Sequence, residues 1–441
     1  SLIQAAAAEV SRPPEKAIPT RSPCGSDIKT FDIGKLRYGM RPLLPCMSFP
    51  LNGLRFRSDR GVNVDIAERV AELVQIPSVN PLHAGPISGD AGEREMSAWL
   101  ANHAEALGAD VVVDEVEADR CNVYARFEGA SERAVTVDVH LDTVGVEHMT
   151  DDPFDGRIED GRVYGRGSVD TKATLAIVLQ VLEELQDAGQ RPLPTVNLVG
   201  TVSEEGGGLL GAARYRDWLL ERGQRIEQIV VAEPTMCAPV HGHKGGIGLD
   251  VTVHGHAAHS SKPHLGANAL SGAARIVVAI DEEQERLAGL EATTPVGKGT
   301  VSVTELAGGL ARNIIPDACA LYVGRRTAPE EDIDEVRAAL CELIENSAAP
   351  LSTTIESLYG DGSPGFYQDP SCALVTVLTQ LADTAPTTAE YGSNALKYGE
   401  VADQRVVFGP GSIDQAHQAV EWVDISQLNR AVDIYRTWFT Q

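Results

Sequence analysis

Residues 134–143 read Ala-Val-Thr-Val-Asp-Val-His-Leu-Asp-Thr: a β-branched, largely apolar run that ends on a histidine, with an aspartate two places on. The run 134–140 has the composition of a buried strand. Shorter β-like runs precede it at 111–116 and 122–127, and others follow at 196–203 and 228–232. Between and around them, apolar residues recur at helical spacing over 64–76, 92–107, 171–188 and 211–222. Strands alternating with helices predict an α/β sheet covered by helices on both faces.

In such a sheet, functional groups gather beyond the carboxyl ends of the strands. His140, Glu204 and Glu233 each stand there, directly after 135–139, 196–203 and 229–232. Asp170 lies in a Gly-rich turn, Tyr-Gly-Arg-Gly-Ser-Val-Asp-Thr-Lys, that leads into the helix from Thr171. Glu204 and Glu205 are followed by three glycines, and His417 closes Gly-Pro-Gly-Ser-Ile-Asp-Gln-Ala-His. Two imidazoles and several carboxylates are the donors that a pair of zinc-type ions requires. A carboxylate left over would serve as general base for a metal-activated water. Asp142, two residues from His140 in extended backbone, could orient the imidazole. Each group also has a plain structural reading. Asp170 is well placed as an N-cap, Glu204-Glu205 as a solvated acidic turn, and a lone histidine usually packs.

The pattern changes after Lys244. A strand at 248–253, a helix at 268–286, strands at 300–306 and 318–325, a helix at 329–346 and a strand at 353–358 give the order β-α-β-β-α-β of a split ferredoxin-like unit. The chain then returns to a helix at 372–382, a strand at 405–408 and a helix at 426–439. The expected organisation is an N-terminal extension of unassigned role at 1–62, a catalytic domain at 63–243 and 361–441, and a lid inserted at 244–360. His254, His256 and His259 in the insert form an H-x-H-x-x-H cluster, read as surface or substrate-facing rather than as another metal site. His241 and His243 are left unassigned.

Composition narrows the classes. At 441 residues with net charge −26, the chain lacks the basic footprint for nucleic acid or an anionic membrane. No apolar stretch reaches the ~18 residues of a membrane helix. Seven cysteines without a C-x-x-C, and a start without a secretory pattern, lead to an expectation of a reducing cytoplasm.

Taken in order, His-Leu-Asp-Thr-Val, Gly-Arg-Gly-Ser-Val-Asp-Thr-Lys, Ser-Glu-Glu-Gly, Ala-Glu-Pro-Thr, His-Lys-Gly-Gly and Gly-Pro-Gly-Ser-Ile-Asp-Gln-Ala-His resemble the zinc-dependent aminoacylase and peptidase family. That family includes acetylornithine deacetylase, succinyl-diaminopimelate desuccinylase and glutamate carboxypeptidase. The resemblance covers roughly 63–441 and implies a mixed-sheet catalytic domain with a ferredoxin-like lid and dimerisation domain. It implies that His140, Asp170 and Glu233 hold one divalent ion, and Asp170, Glu205 and His417 a second, most simply zinc, with cobalt or manganese as alternatives. Glu204 would be the base and Asp142 the orienting acid. His259 would donate to the oxyanion in the neighbouring subunit's site, which implies a homodimer. Asn313 and Arg326 would clamp the substrate carboxylate, with Arg325 in that role if the register shifts by one. Thr171 stands where the motif often has Met, and Val420 where an acid commonly follows the metal histidine. The implied reaction is hydrolysis of the amide of an N-acyl amino acid. A dipeptidase or carboxypeptidase is the runner-up, and an inactive scaffold is the reading outside enzymes. Glu233, rather than Asp, at its position leans toward the deacylases.

Overall fold

The computed structural model describes residues 65–89, 91–357, 360 and 362–441. The expected N-terminal extension, 1–62, lies outside them. The main sheet runs in the order Asp110–Glu117, Arg120–Phe127, Thr195–Thr201, Ala134–His140, Ile226–Val231, Ala402–Val407, Val240–His243, Phe366–Tyr367, with Thr387–Ala389 beside Val240–His243. Ala134–His140 sits between two parallel neighbours, His140 opposite Thr201 and Asp138 opposite Val231. The edges are antiparallel, so the sheet is mixed.

The side-chain period of two decides what the central strand shows to each face. Val135, Val137 and Val139 enter a core built with helices Ile66–Val74, Arg94–Ala106, Lys172–Asp187, Ala373–Ala382 and Ile425–Thr440. Thr136, Asp138 and His140 fall on the other face. There a second cluster is formed with helix Leu210–Glu221 and the turn Asn394–Tyr398. Asp138 is fully buried, and burial lifts its carboxyl to about 6 although it accepts from Thr201 Oγ1 at 2.8 Å and Tyr398 Oη at 2.9 Å. His140, at the carboxyl end of the same row, is therefore aimed by the strand itself.

The chain leaves this sheet after Val240–His243 and re-enters it at Phe366–Tyr367. Between them lies a separate antiparallel sheet, ordered Thr300–Gly308, Ala318–Thr327, Gly245–His254, Ser352–Ser357, with helices Ala269–Ala288 and Ile333–Ala348 packed on it. That is the β-α-β-β-α-β order read from the sequence. Unanticipated were the strand Val240–His243 and a small sheet of Ile158–Glu159, Arg162–Tyr164 and Trp422–Asp424. Both are short and carry polar residues, so periodicity does not reveal them; neighbouring backbone pairs them instead.

Candidate metal centre

Six side chains from five chain segments converge at the carboxyl end of the sheet. His140 Nε2 lies 3.0 Å from Asp170 Oδ1, and His417 Nε2 lies 3.3 Å from Asp170 Oδ2 and 3.1 Å from Glu205 Oε2. Asp170 thus stands between the two imidazoles, one oxygen to each. Donor atoms of His140, Asp170 and Glu205 fall within 4.8 Å of one another, and so do those of His140, Glu204 and Glu233. His140, Asp170 and Glu233 are buried, Glu204 and Glu205 are partly buried, and His417 is half-exposed.

Local structure explains each placement. Thr171, not Asp170, holds the cap position of helix Lys172–Asp187, and it makes no side-chain cap bond. The N-cap reading of Asp170 therefore fails, because its carboxylate is turned to the imidazoles. Ser203, just before Glu204, has φ 63°, and His417 has φ 62°. Two non-glycine residues in the left-handed region at one site are strain held by its surroundings. Gly409, in the Gly-Pro-Gly loop, passes so near the strand end that a Cβ there would lie 2.6 Å from Glu233 O.

The orienting role expected of the Asp142 carboxylate is divided differently. His140 Nδ1 meets the backbone carbonyl of Asp142 at 3.0 Å, while the carboxylate is 3.7 Å away. That carboxylate instead accepts from the amides of Glu204 and Glu205 at 3.0 and 2.9 Å, and from Asn80 Nδ2 at 2.8 Å. One residue fixes the imidazole with its main chain and the Glu-Glu turn with its side chain.

The electrostatics suit bound cations. Burial, then neighbouring acids, raise the carboxyl of Glu233 well above the ordinary range and raise that of Glu205 too. Burial likewise lifts Glu204 to about 8, His140 opposing and Glu205, Asp142 and Asp170 adding to it. Hydrogen bonds to Asp170 and Glu205 push His417 up to about 10. Burial opposes ionisation of Asp170, yet its bonds to both imidazoles hold it below the usual range. Four carboxylates crowded round two imidazoles outnumber the positive charge available to them, and oxygen and nitrogen donors of this mix match divalent zinc, cobalt or manganese.

Residues missed in the sequence complete the frame. Glu421, one place beyond Val420, is buried against Arg166. It also accepts from the amides of Val169 and Asp170 at 3.2 and 3.4 Å. Arg166 reaches Gly145 O at 3.1 Å and Gln418 O at 3.4 Å, so the pair ties the Asp170 loop to the His417 loop. The position of an acid near the histidine was the available signal, read one residue early.

A cavity of about 560 Å³ opens beside the centre, lined by Glu204, Glu205, His417, Tyr391, Arg326 and Lys397 among others. Arg326 is exposed to it. Arg325 also borders it but is buried and engaged with Glu331 and the carbonyl of Arg326. Asn313 and His259 do not line it. They sit together on a two-stranded ribbon, His259 opposite Ile314 and Ser260 N donating to Asn313 O at 2.9 Å. Within one chain, then, Asn313 and Arg326 form no joint clamp. His254 bonds Thr354 Oγ1, His241 the Gln368 carbonyl, and His243 Ser393 Oγ. None of these three joins a metal-type group among the described residues.

Residues 136–441 match the model of a family described as Peptidase family M20/M25/M40. A probable carboxypeptidase of Aspergillus terreus is 31% identical over 392 residues, 83% of each chain. An acetylornithine deacetylase of Vibrio campbellii is 26% identical, spanning 84% of this chain and 96% of its own. Among solved structures, an M20 family metallo-carboxypeptidase of Sulfolobus solfataricus has the same fold, with a TM-score of 0.68 at 17% identity over 85% of this chain and 98% of that one.

Proposed function

This chain belongs to peptidase family M20/M25/M40, and within it we propose a deacylase that hydrolyses the amide of an N-acyl amino acid. The coarser statement is secure: it is a metallo-hydrolase acting on amide or peptide bonds. The observation that carries the hydrolase reading is Asp170 set between two imidazoles, with Glu204, Glu205 and Glu233 crowded around it, and the lean to a deacylase rests on Glu233 rather than Asp at its position. His140, Asp170 and Glu233 on one side, and Asp170, Glu205 and His417 on the other, would hold two divalent ions, zinc foremost.

Two divalent ions held there would supply Lewis acidity toward the scissile carbonyl and a bound water of lowered pKa. The chain's own residues do the rest. His417 engages Glu205 rather than Glu204, and the Glu204 carboxylate, which lines the cavity as Glu205 also does, is the base in this reading. Its raised proton affinity suits a group that takes a proton from water at its oxygen and returns it to the leaving nitrogen. Asp142 keeps the Glu204 amide, and hence that carboxylate, in place. Arg326 offers a guanidinium fork to a carboxylate beside the amide.

His259 and Asn313 would act on the cavity of a second copy, in a homodimer joined through the 244–360 region, His259 donating to the developing oxyanion. Mixing inactive His259→Ala with inactive Glu204→Ala protein is then expected to restore activity through hybrid dimers. Failure to complement, with hybrids shown to form, would count against action between subunits.

The kinship to a probable carboxypeptidase favours a second reading, the same centre cutting a peptide bond. Protein reconstituted with zinc, cobalt or manganese and assayed on N-acetyl, N-succinyl and N-formyl amino acids beside dipeptides separates the two. The deacylase reading expects turnover of the first set over the second.

A further inference from the structure

The wall of the cavity away from the metal centre carries charge that hydrolysis of a simple N-acyl amino acid does not use. Among the described lining residues the only carboxylates are Glu204 and Glu205, both at the centre. Of the cations, Arg325 is spent on Glu331. Arg326 and Lys397 have no carboxylate partner among the described residues. Lys397 is half-buried, and its Nζ donates to Ser363 Oγ at 2.9 Å. Ser363 in turn exchanges backbone bonds of 2.9 and 3.0 Å with Gly246. Arg326 lies against the same residue: a Cβ on Gly246 would be 3.7 Å from its Nη1, and one on Gly392 3.9 Å. The two cations therefore flank one stretch of backbone.

Such a placement is unfavourable for Lys397 alone. Burial pushes its ammonium down, and the neighbouring charge that bears on it, Arg216, is another cation that pushes the same way. A half-buried ammonium that has a hydroxyl partner, no carboxylate partner among the described residues and another cation bearing on it is stabilised by an anion from outside. We infer that Lys397 is a specificity-determining residue that binds a second carboxylate of the substrate, while Arg326 takes the carboxylate beside the scissile amide. The substrate class is then a doubly anionic N-acyl amino acid. The second carboxylate comes from an acidic side chain or from a dicarboxylic acyl group. This rests on the reading of the cavity as the place of amide hydrolysis.

The test uses isosteric pairs on metal-loaded protein: N-acetylglutamate against N-acetylglutamine for the side chain, N-succinylalanine against N-butyrylalanine for the acyl group. Binding of glutarate against butyrate is measured by calorimetry in parallel. In the wild type, at least one acid member should exceed its neutral partner in kcat/KM by about tenfold or more, as a charge-assisted hydrogen bond provides. Lys397→Met should bring that ratio near unity and Lys397→Arg should keep it, with thermal unfolding confirming that both variants fold. Glutarate should likewise outbind butyrate, and Lys397→Met should erase the difference. No acid preference in either assay, or a preference unmoved by Lys397→Met, overturns the inference. If no N-acyl compound is hydrolysed yet the glutarate preference depends on Lys397, the deacylase reading falls and the two-anion cavity stands.

Discussion

Glu204 and Glu205 are neighbours with the same side chain, and the frame around them separates their tasks. Both line the cavity, but Glu205 pairs with His417, whereas Glu204 lies with His140 and Glu233. Replacing Glu204 with Gln, which keeps shape and removes the base, is expected to lower kcat by about 10²–10⁴-fold. Metal content by plasma emission should stay near that of the wild type; loss of both ions would overturn the assignment. Asp142→Asn swaps one acceptor for a donor beside the amides of Glu204 and Glu205. Metal affinity should weaken by about 10–100-fold, read from competition with a chromophoric chelator. The ligand-type residues were legible because each follows a strand or a glycine turn in the sequence. The carboxylate of Asp142 was legible in position but not in partner. Residue spacing shows which side chains share a side, whereas the amides it accepts from come from a loop 62 residues away.

At the scale of elements, the long strands and helices fell where apolar periodicity put them, since most of them bury at least one face in a core. What periodicity could not show is how loops are tied to one another. Arg166 and Glu421, side chains almost wholly buried, join the turn bearing Asp170 to the loop bearing His417. Nothing in local sequence pairs residues 255 positions apart. Removing one partner leaves the other charged and buried, so Glu421→Ala should cost about 3–5 kcal/mol in urea unfolding. A loss below 1 kcal/mol would show that the loops hold each other by other means.

For the molecule as a whole, the metal centre should dominate the pH dependence of stability. A carboxyl raised in the fold binds its proton more tightly there than in the unfolded chain. Ionisation therefore costs stability as pH rises from the ordinary carboxyl range to the folded value. For Glu204 that window runs from 4.5 to about 8, and Glu421, lifted by burial to about 7, adds in the same sense. His417, raised by its carboxylate partners from 6.5 to about 10, contributes stability below 6.5 that is lost over that span. Metal-free protein should melt lower at pH 8 than at pH 5.5. Divalent ions should reverse the order, because they bind the deprotonated donors. The most direct test of a two-metal amide hydrolase is a titration of chelated protein with zinc or cobalt, following bound metal and hydrolysis of N-acyl amino acids together. Uptake of two ions per chain, with activity returning as they bind and His140→Ala taking up one ion fewer and losing activity, is the expected result. Full activity in the chelated protein, or metal uptake unchanged by His140→Ala, would contradict it.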